Sequence, residues 1–103
     1  MNKAPALSRE ELGALAETFR LLGDPTRLKI LMFCLDGPKA VGAIADSLGI
    51  SQTLVSHHLR LLRGARLVTS ERHAKYVFYA LADSHVSDMI RDMAQHVAEE
   101  RET

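Results

Sequence analysis

Cysteine is nearly absent from this 103-residue chain, which contains only Cys34. One cysteine excludes a disulfide within the chain, and it excludes any site in a single subunit that requires two thiolates, such as a soft-metal or dithiol redox sensor. Because Cys34 lies in the apolar run at residues 31–35, we expect its thiol to be buried and unreactive. Any ligand chemistry therefore has to come from other side chains.

Tryptophan is absent, and only 5% of the residues are aromatic, although 47% are hydrophobic. This composition is typical of a helical protein rich in alanine and leucine. No apolar run approaches about 18 residues, and the first residues precede a polar helix rather than an apolar signal core, so we expect a cytoplasmic protein with no membrane partner. The length predicts one domain over residues 1–103, which dimerisation would help to stabilise because so short a chain buries a modest fraction of its surface.

Net charge is also absent, because 13 basic and 13 acidic residues cancel. A neutral chain is by itself a poor candidate for binding nucleic acid. The distribution of charge argues the other way: between residues 57 and 75 there are five arginines or lysines, and Glu71 is the only acid. The remaining acids collect toward the two ends of the chain. A basic centre between acidic ends predicts a local DNA-binding surface.

Capping residues and glycines divide the chain into helices, and the division predicts a helix-turn-helix over about residues 40–63. Residues 67–81 are then predicted to form two β-strands around a charged tip, which is the pattern of a wing. Residues 83–99 form a last helix with an apolar stripe. The predicted fold is mainly α with a small β-hairpin: a winged helix-turn-helix of four helices, the hairpin and a fifth helix. The boundary signals are a capping box of Ser8 and Glu11, the N-cap and first-turn proline at Asp24 and Pro25, the helix-ending glycines Gly23, Gly49 and Gly64, and the N-cap Ser51.

The fourth helix, predicted at residues 52–63, has an apolar side and a polar side. Helical spacing puts Leu54, Val55, Leu61 and Leu62 on the inner side, with His58 between helices. The outer side begins with short polar groups and continues with arginines, which suits a helix in the major groove of DNA. A merely solvated face, or a solvated turn at the wing tip, is the alternative. The predicted DNA-contacting residues are Gln52 and Thr53 at base edges, Ser56, Arg60 and Arg63 at phosphates, His57 beside them, and Arg72 and Lys75 of the wing tip.

Four side chains of the types that bind transition metals lie on the last helix: Asp83, His85, His96 and Glu99. A helix rises about 1.5 Å per residue, so His85 and His96 are roughly 16 Å apart and cannot bind one ion together. Eleven residues at about 100° each nevertheless bring His96 back to within roughly 20° of the direction of His85. If two copies of the helix pair antiparallel about a two-fold axis near residues 90–91, the spacing predicts two four-ligand sites shared between subunits. The alternative is the polar margin of an amphipathic helix.

Three features together resemble the ArsR/SmtB family of winged-helix metal-sensing repressors, in its zinc-sensing branch with a metal site on the last helix: LGDPTR at residues 22–27, ISQTLVSHHLRLL at residues 50–62, and the ligand spacing of the last helix. The resemblance covers about residues 12–100. It implies a homodimer, held by the first and last helices, that binds a palindromic operator in double-stranded DNA and leaves it when metal binds. Family members also carry a thiolate site at the start of the third helix, but residues 39–44 contain no cysteine, and Ala74 replaces the usual wing glycine.

The ligand set favours Zn(II) as the regulatory ligand, because two imidazoles and two carboxylates suit tetrahedral zinc, with Co(II) and Ni(II) as alternatives. The resemblance links nickel sensing to extra histidines at the chain ends, and residues 1–7 and 100–103 contain none. Three other functions stay open: a winged-helix regulator without metal sensing, a zinc hydrolase, and a protein-interaction module. The interaction module leaves the basic helix unexplained. We expect no enzyme, because four side chains would fill the coordination shell of the zinc and no nucleophile motif accompanies them.

Overall fold

The computed structural model describes residues 4–100, except for the side chain of Glu100, and the other residues of the predicted domain lie outside this range. The predicted order of helices and hairpin is confirmed, with one addition, a two-residue strand before the third helix that no sequence pattern indicated. In chain order the elements are α1 (Arg9–Leu22), α2 (Pro25–Phe33), β1 (Lys39–Ala40), α3 (Val41–Leu48), α4 (Gln52–Gly64), β2 (Val68–His73), β3 (Tyr76–Leu81) and α5 (Ser84–Glu100).

The predicted N-terminal caps form as hydrogen bonds. The Ser8 side chain accepts from the Glu11 N–H at 3.1 Å, and the Ser8 N–H donates to the Glu11 carboxylate at 2.9 Å, which completes the capping box of α1. At the start of α4, Ser51 Oγ accepts from the Leu54 N–H at 3.1 Å. The N-cap of α3 is Ala40, which has no side chain able to accept a hydrogen bond, and this explains why the sequence carries no cap signal there.

Helix α4 ends one residue later than predicted. Gly64 is the last helical residue, whereas the left-handed residue that stops the helix is Arg66, with φ 60°. The Arg66 N–H donates to the Arg63 carbonyl at 3.0 Å and the Leu67 N–H to the Leu62 carbonyl at 2.9 Å, which is the hydrogen-bond pattern of a Schellman motif. A motif that usually takes glycine therefore holds an arginine here.

The three strands form an antiparallel sheet in the order β1-β3-β2. Strands β2 and β3 pair from Val68 opposite Leu81 to His73 opposite Tyr76, so the wing turns in two residues. Ala74, the first of them, has φ 56°, so the wing keeps a left-handed turn residue although the usual glycine is absent. The short strand β1 pairs with β3 and thereby joins the start of α3 to the base of the wing.

The core lies between α2, α3, α4, the sheet and the first half of α5. On α4, Val55 and Leu62 are fully buried as predicted, and His58 is half-buried between helices. Leu54 and Leu61, expected on the inner side, are exposed, and Leu59 takes the central buried position instead. The buried side of α4 is therefore narrower than its apolar pattern, because apolar residues at its margins face solvent in the single chain.

Candidate nucleic-acid interface and metal centre

The polar side of α4 is presented to solvent by the corner between α3 and α4. Gly49 adopts φ 70° and ends α3, the Ile50 N–H donates to the Ala45 carbonyl at 3.2 Å, and Ser51 starts α4. A left-handed glycine allows this reversal within three residues. The predicted contact residues of α4 are all exposed except Ser56, which is half-buried: Gln52, Thr53, Ser56, His57, Arg60 and Arg63.

One predicted base-reading residue also packs against α3. A Cβ atom added to Gly42 would lie 3.5 Å from the Gln52 Nε2 atom, so the Gln52 amide extends along the first turn of α3. Gln52 is thus placed at the corner of the two helices, whereas Thr53 and His57 lie on the open face. Of the predicted pair, Thr53 is the less encumbered residue.

The wing carries its charges on separate faces. Arg72 lies opposite Val77, and because neighbouring strand residues point to opposite faces, Glu71 and His73 share the other side. There the His73 Nε2 atom lies 3.1 Å from the Glu71 Oε1 atom. Among residues 4–100, no ion pair involves Arg60, Arg63, Arg72 or Lys75. These four cations, all exposed, remain available to an anionic partner.

The predicted metal ligands fall into two groups on α5. Asp83 and His85 are neighbours, with 3.7 Å between the Asp83 Oδ2 and His85 Nδ1 atoms, and the His85 side chain is 95% exposed. His96 and Glu99 are exposed further along the helix. In the described part of the chain, no three histidine, cysteine, aspartate or glutamate side chains come together. Each end of α5 therefore carries two of the four predicted ligands, of which Asp83 and His85 lie close together.

The sequence prediction missed a structural role of Asp83. Its Oδ1 atom accepts a hydrogen bond from the Val86 N–H at 3.0 Å, which is the contact of an N-cap residue. The signal was present, since an aspartate immediately before a helix is a common cap. Only Oδ2 is left to face His85.

A second contact outside the predicted sites links three helices. Arg27 of α2 donates from Nε to the Leu21 carbonyl of α1 at 2.8 Å, and its NH1 group lies 3.4 Å from the His58 Nδ1 atom of α4. The sequence pattern indicated only that His58 lies between helices and gave no signal for its partner.

The two terminal helices leave apolar side chains in solvent. Leu12 and Phe19 of α1 are 59% and 58% exposed, and Met93 and Val97 of α5 are 55% and 62% exposed. Between α1, α2 and α5 there is an open groove of about 570 Å³, lined almost entirely by apolar residues. Leu22 and Ile90 form part of its inner wall. The apolar stripe of α5 is therefore covered in its first half and open in its second.

The only cysteine of the chain, Cys34, lies in the hydrophobic core. Cys34 is 2% exposed, and burial raises the pKa of its thiol to about 11. The thiol is therefore protonated near neutral pH, and its burial confirms the sequence prediction. No helix within residues 4–100 is both long enough and apolar enough to cross a bilayer.

Comparison with known proteins places the chain in a family. Residues 24–70, from the N-cap of α2 into the wing, match the family described as bacterial regulatory protein, arsR family. The chain is 37% identical over 93 residues to the transcriptional repressor SmtB homolog of Synechocystis sp., covering 90% of this chain and 70% of the relative. The chain belongs to the arsR family. This ArsR-family chain is also 44% identical over 84 residues to the transcriptional regulator CmtR of Mycobacterium bovis, covering 82% and 71% of the two chains.

A solved structure supports the fold of this ArsR-family chain. The homodimeric winged helix-turn-helix DNA-binding domain of Mb0332 from Mycobacterium bovis, a possible ArsR-family transcriptional regulator, superposes with a TM-score of 0.79 at 30% identity, over 95% of this chain and 92% of that one. The predicted winged helix-turn-helix and the family resemblance are both confirmed. Because the family and these relatives are transcriptional regulators, the chain is a regulator and not an enzyme.

Proposed function

We propose that this protein is a metal-responsive repressor of the cytoplasm that binds a palindromic operator as a homodimer and is released by Zn(II) at two intersubunit sites. The observation that carries the proposal is the exposure of two potential ligands at each end of α5, a helix whose second half also exposes an apolar stripe. Within one chain the ligand set of each site is incomplete and the apolar stripe is uncovered. Pairing of two α5 helices would complete each set and cover the stripe.

The proposed dimer forms through α1 and α5. The exposed Leu12, Phe19, Met93 and Val97 supply apolar area of the kind that stable interfaces bury. The Mb0332 domain, which shares the fold, is homodimeric, and this supports a homodimer here. In an antiparallel pair of α5 helices, Asp83 and His85 lie beside His96 of the partner subunit and Glu99 of the partner subunit.

The donor set of the proposed site fits zinc. Two imidazole nitrogens and two carboxylate oxygens complete a tetrahedral shell, and Co(II) or Ni(II) are the alternative ions. Asp83 is able to bind through Oδ2 while Oδ1 keeps its hydrogen bond to Val86. Zinc bound there supplies a cross-link between the two α5 helices, which favours one dimer geometry over others. The thiolate metals have no comparable ligand, since Cys34 is buried and protonated.

The proposed DNA contact uses α4 and the wing. Thr53 and Gln52 meet base edges in the major groove, while Arg60 and Arg63, with Ser56 and His57, lie along the phosphates, and the wing tip adds Arg72 and Lys75. A symmetric dimer presents two such helices to half-sites about 34 Å apart, one turn of DNA. A zinc-favoured geometry that changes this spacing weakens both contacts together.

The test is DNA binding by fluorescence anisotropy, using a duplex selected from a random-sequence library with the metal-free protein. We expect one equivalent of Zn(II) per chain to weaken binding by the wild type and by His73→Ala, a matched variant of an exposed histidine outside the site. We expect no such effect with His96→Ala or His85→Ala. Equilibrium dialysis should give about one zinc per chain, lost in His96→Ala.

Three results would change the proposal. If zinc neither binds stoichiometrically nor affects DNA binding, the protein is a winged-helix regulator whose last helix serves dimerisation alone. If Ni(II) or Co(II) releases the duplex and Zn(II) does not, the site holds and the ion is wrong. A wild-type protein that selects no duplex from the library contradicts the DNA-binding proposal itself.

A further inference from the structure

Arg27 lies where the end of α1, the start of α2 and the inner side of α4 meet. Its Nε–H donates to the Leu21 carbonyl at 2.8 Å, which is one of the last carbonyls of α1 and has no acceptor role within that helix. A cation at the C-terminal end of a helix also interacts favourably with the helix dipole. Its own backbone N–H donates to the Asp24 carboxylate at 3.0 Å. Asp24 therefore holds the backbone of Arg27, and the Leu21 carbonyl holds its side chain.

The remaining contact of Arg27 reaches the DNA-facing helix. The Arg27 NH1 group lies 3.4 Å from the His58 Nδ1 atom. A guanidinium group has donors and no acceptor, so this contact is a hydrogen bond only when Nδ1 carries no proton. Neutral His58 with its proton on Nε2 satisfies that condition. Protonated His58 loses the acceptor and places a second positive charge against Arg27.

The position of His58 on α4 connects its protonation to the exposed face of the helix. It lies on the inner half of the helix near Val55 and Leu59, while its neighbour His57 lies on the exposed face. The His57 and His58 rings meet edge to face, with 5.7 Å between their centroids. A displacement at His58 therefore moves the residues that the proposed function assigns to DNA.

We propose that Arg27 is a positioning residue for DNA binding, which holds α4 against the α1–α2 corner through neutral His58, so that protonation of His58 weakens the grip on DNA. The inference rests on the proposed function in one respect, that α4 is the helix that binds DNA. It adds a contact outside α5 that makes DNA affinity sensitive to pH without any metal.

The surroundings of His58 favour its neutral form. Burial is the main cause that lowers the pKa of His58, the charges of Arg27 and His57 lower it further, and the carboxylate of Asp24 acts in the opposite direction. Helix α3 and strand β2 also pack against α4, but among residues 4–100 no charged group of either element shifts the pKa of His58. Because burial holds the pKa of His58 below its ordinary value of about 6.5, the contact is intact at that pH and is lost as the pH falls through the lowered pKa.

The test compares His58→Asn with the wild type in EDTA-treated protein between pH 7.5 and 5.5. Asparagine keeps an acceptor near the position of Nδ1 but does not titrate. With the selected duplex as probe, we expect the wild type to lose about fivefold in affinity relative to His58→Asn on acidification. A difference of one unit in the pKa of His58 between free and DNA-bound protein corresponds to about tenfold in affinity. His73→Asn, a variant of an exposed histidine outside the proposed DNA contacts, is the matched control, and it should keep the acid-induced loss.

Nitrogen chemical shifts of the imidazole rings test the contact without DNA. At pH 7.5 we expect His58 to show an unprotonated Nδ1 and a protonated Nε2 atom. A proton on Nδ1, or identical pH profiles of DNA binding for the wild type and His58→Asn, overturns the inference. Failure of the wild type to bind any selected duplex at pH 7.5 instead overturns the proposed function, together with the part of the inference that depends on it.

Discussion

Asp83 uses its two carboxylate oxygens for different partners. Oδ1 caps α5 through the Val86 N–H, and Oδ2 faces His85. A variant that removes the carboxylate therefore loses two functions at once, and weak metal binding in such a variant does not by itself identify a ligand. Asparagine separates the two roles, because it keeps an oxygen acceptor for the cap and lacks the second charged oxygen.

We expect Asp83→Ala to lower the free energy of unfolding of the metal-free protein by about 1 kcal/mol, the usual cost of losing an N-cap. Asp83→Asn should be within a few tenths of a kcal/mol of the wild type and yet bind zinc more weakly. Urea unfolding in EDTA at one protein concentration measures the first effect and dialysis the second. If alanine and asparagine destabilise the protein equally, the cap has no energetic role.

Arg66 affects stability through its backbone conformation. Its φ of 60° lies in the left-handed region, which costs a residue with a Cβ atom roughly 1 kcal/mol relative to glycine. We expect Arg66→Gly to raise the free energy of unfolding by about that amount. Arg63→Gly, at the residue before the last one of α4, is the matched control and should lower the free energy of unfolding by a similar amount. A loss of stability in both variants would show that the Arg66 side chain matters more than its backbone.

Among the elements, α5 has two dissimilar halves. Val86 and Ile90 are buried in the core of their own chain, whereas Met93 and Val97 are exposed at the same apolar stripe. Periodicity predicts the helix and the stripe, but it does not reveal where the stripe leaves the core, because that depends on which other elements the chain provides. A substitution in the exposed half therefore tests whether α5 forms the dimer interface.

We expect Val97→Glu to convert the dimer to a monomer, because the introduced charge would be buried without a partner. The circular dichroism spectrum should keep its helical signal, since Val97 is 62% exposed in the single chain. Analytical ultracentrifugation measures the mass. Gln95→Glu, an exposed position on another side of α5, adds the same charge and should leave a dimer. A dimeric Val97→Glu protein would place the interface elsewhere.

Two arginines of α4 are predicted to contact DNA phosphates. Arg60 and Arg63 are exposed and free of ion pairs with described residues, so each is available to one phosphate. We expect Arg60→Ala and Arg63→Ala each to reduce the slope of log affinity against log salt concentration by about 0.9. Arg91→Ala on α5 should leave the slope unchanged. Equal slopes in all variants would mean that α4 does not lie along the phosphates.

For the whole molecule, local sequence signals carried most of the fold. The caps at Ser8 and Ser51 and the wing pattern are short-range features, and each forms as predicted. Features that depend on a distant partner were missed: β1 exists only through pairing with β3, and the contact of Arg27 joins residues 31 positions apart. The metal site differs from both groups: the ligand spacing predicts it, and it stays a prediction, since its halves lie at opposite ends of one helix and depend on a partner subunit.

The two-residue turn of the wing limits how far its tip can adapt in the proposed contact with DNA. Because β2 and β3 stay paired up to His73 and Tyr76, the loop residues Ala74 and Lys75 have little backbone freedom left to lose on docking. The entropic penalty of contact at the tip is thus met when the protein folds. The same rigidity means that the tip cannot stretch toward a narrower or wider groove, so an operator of different shape requires the hairpin to tilt as a unit.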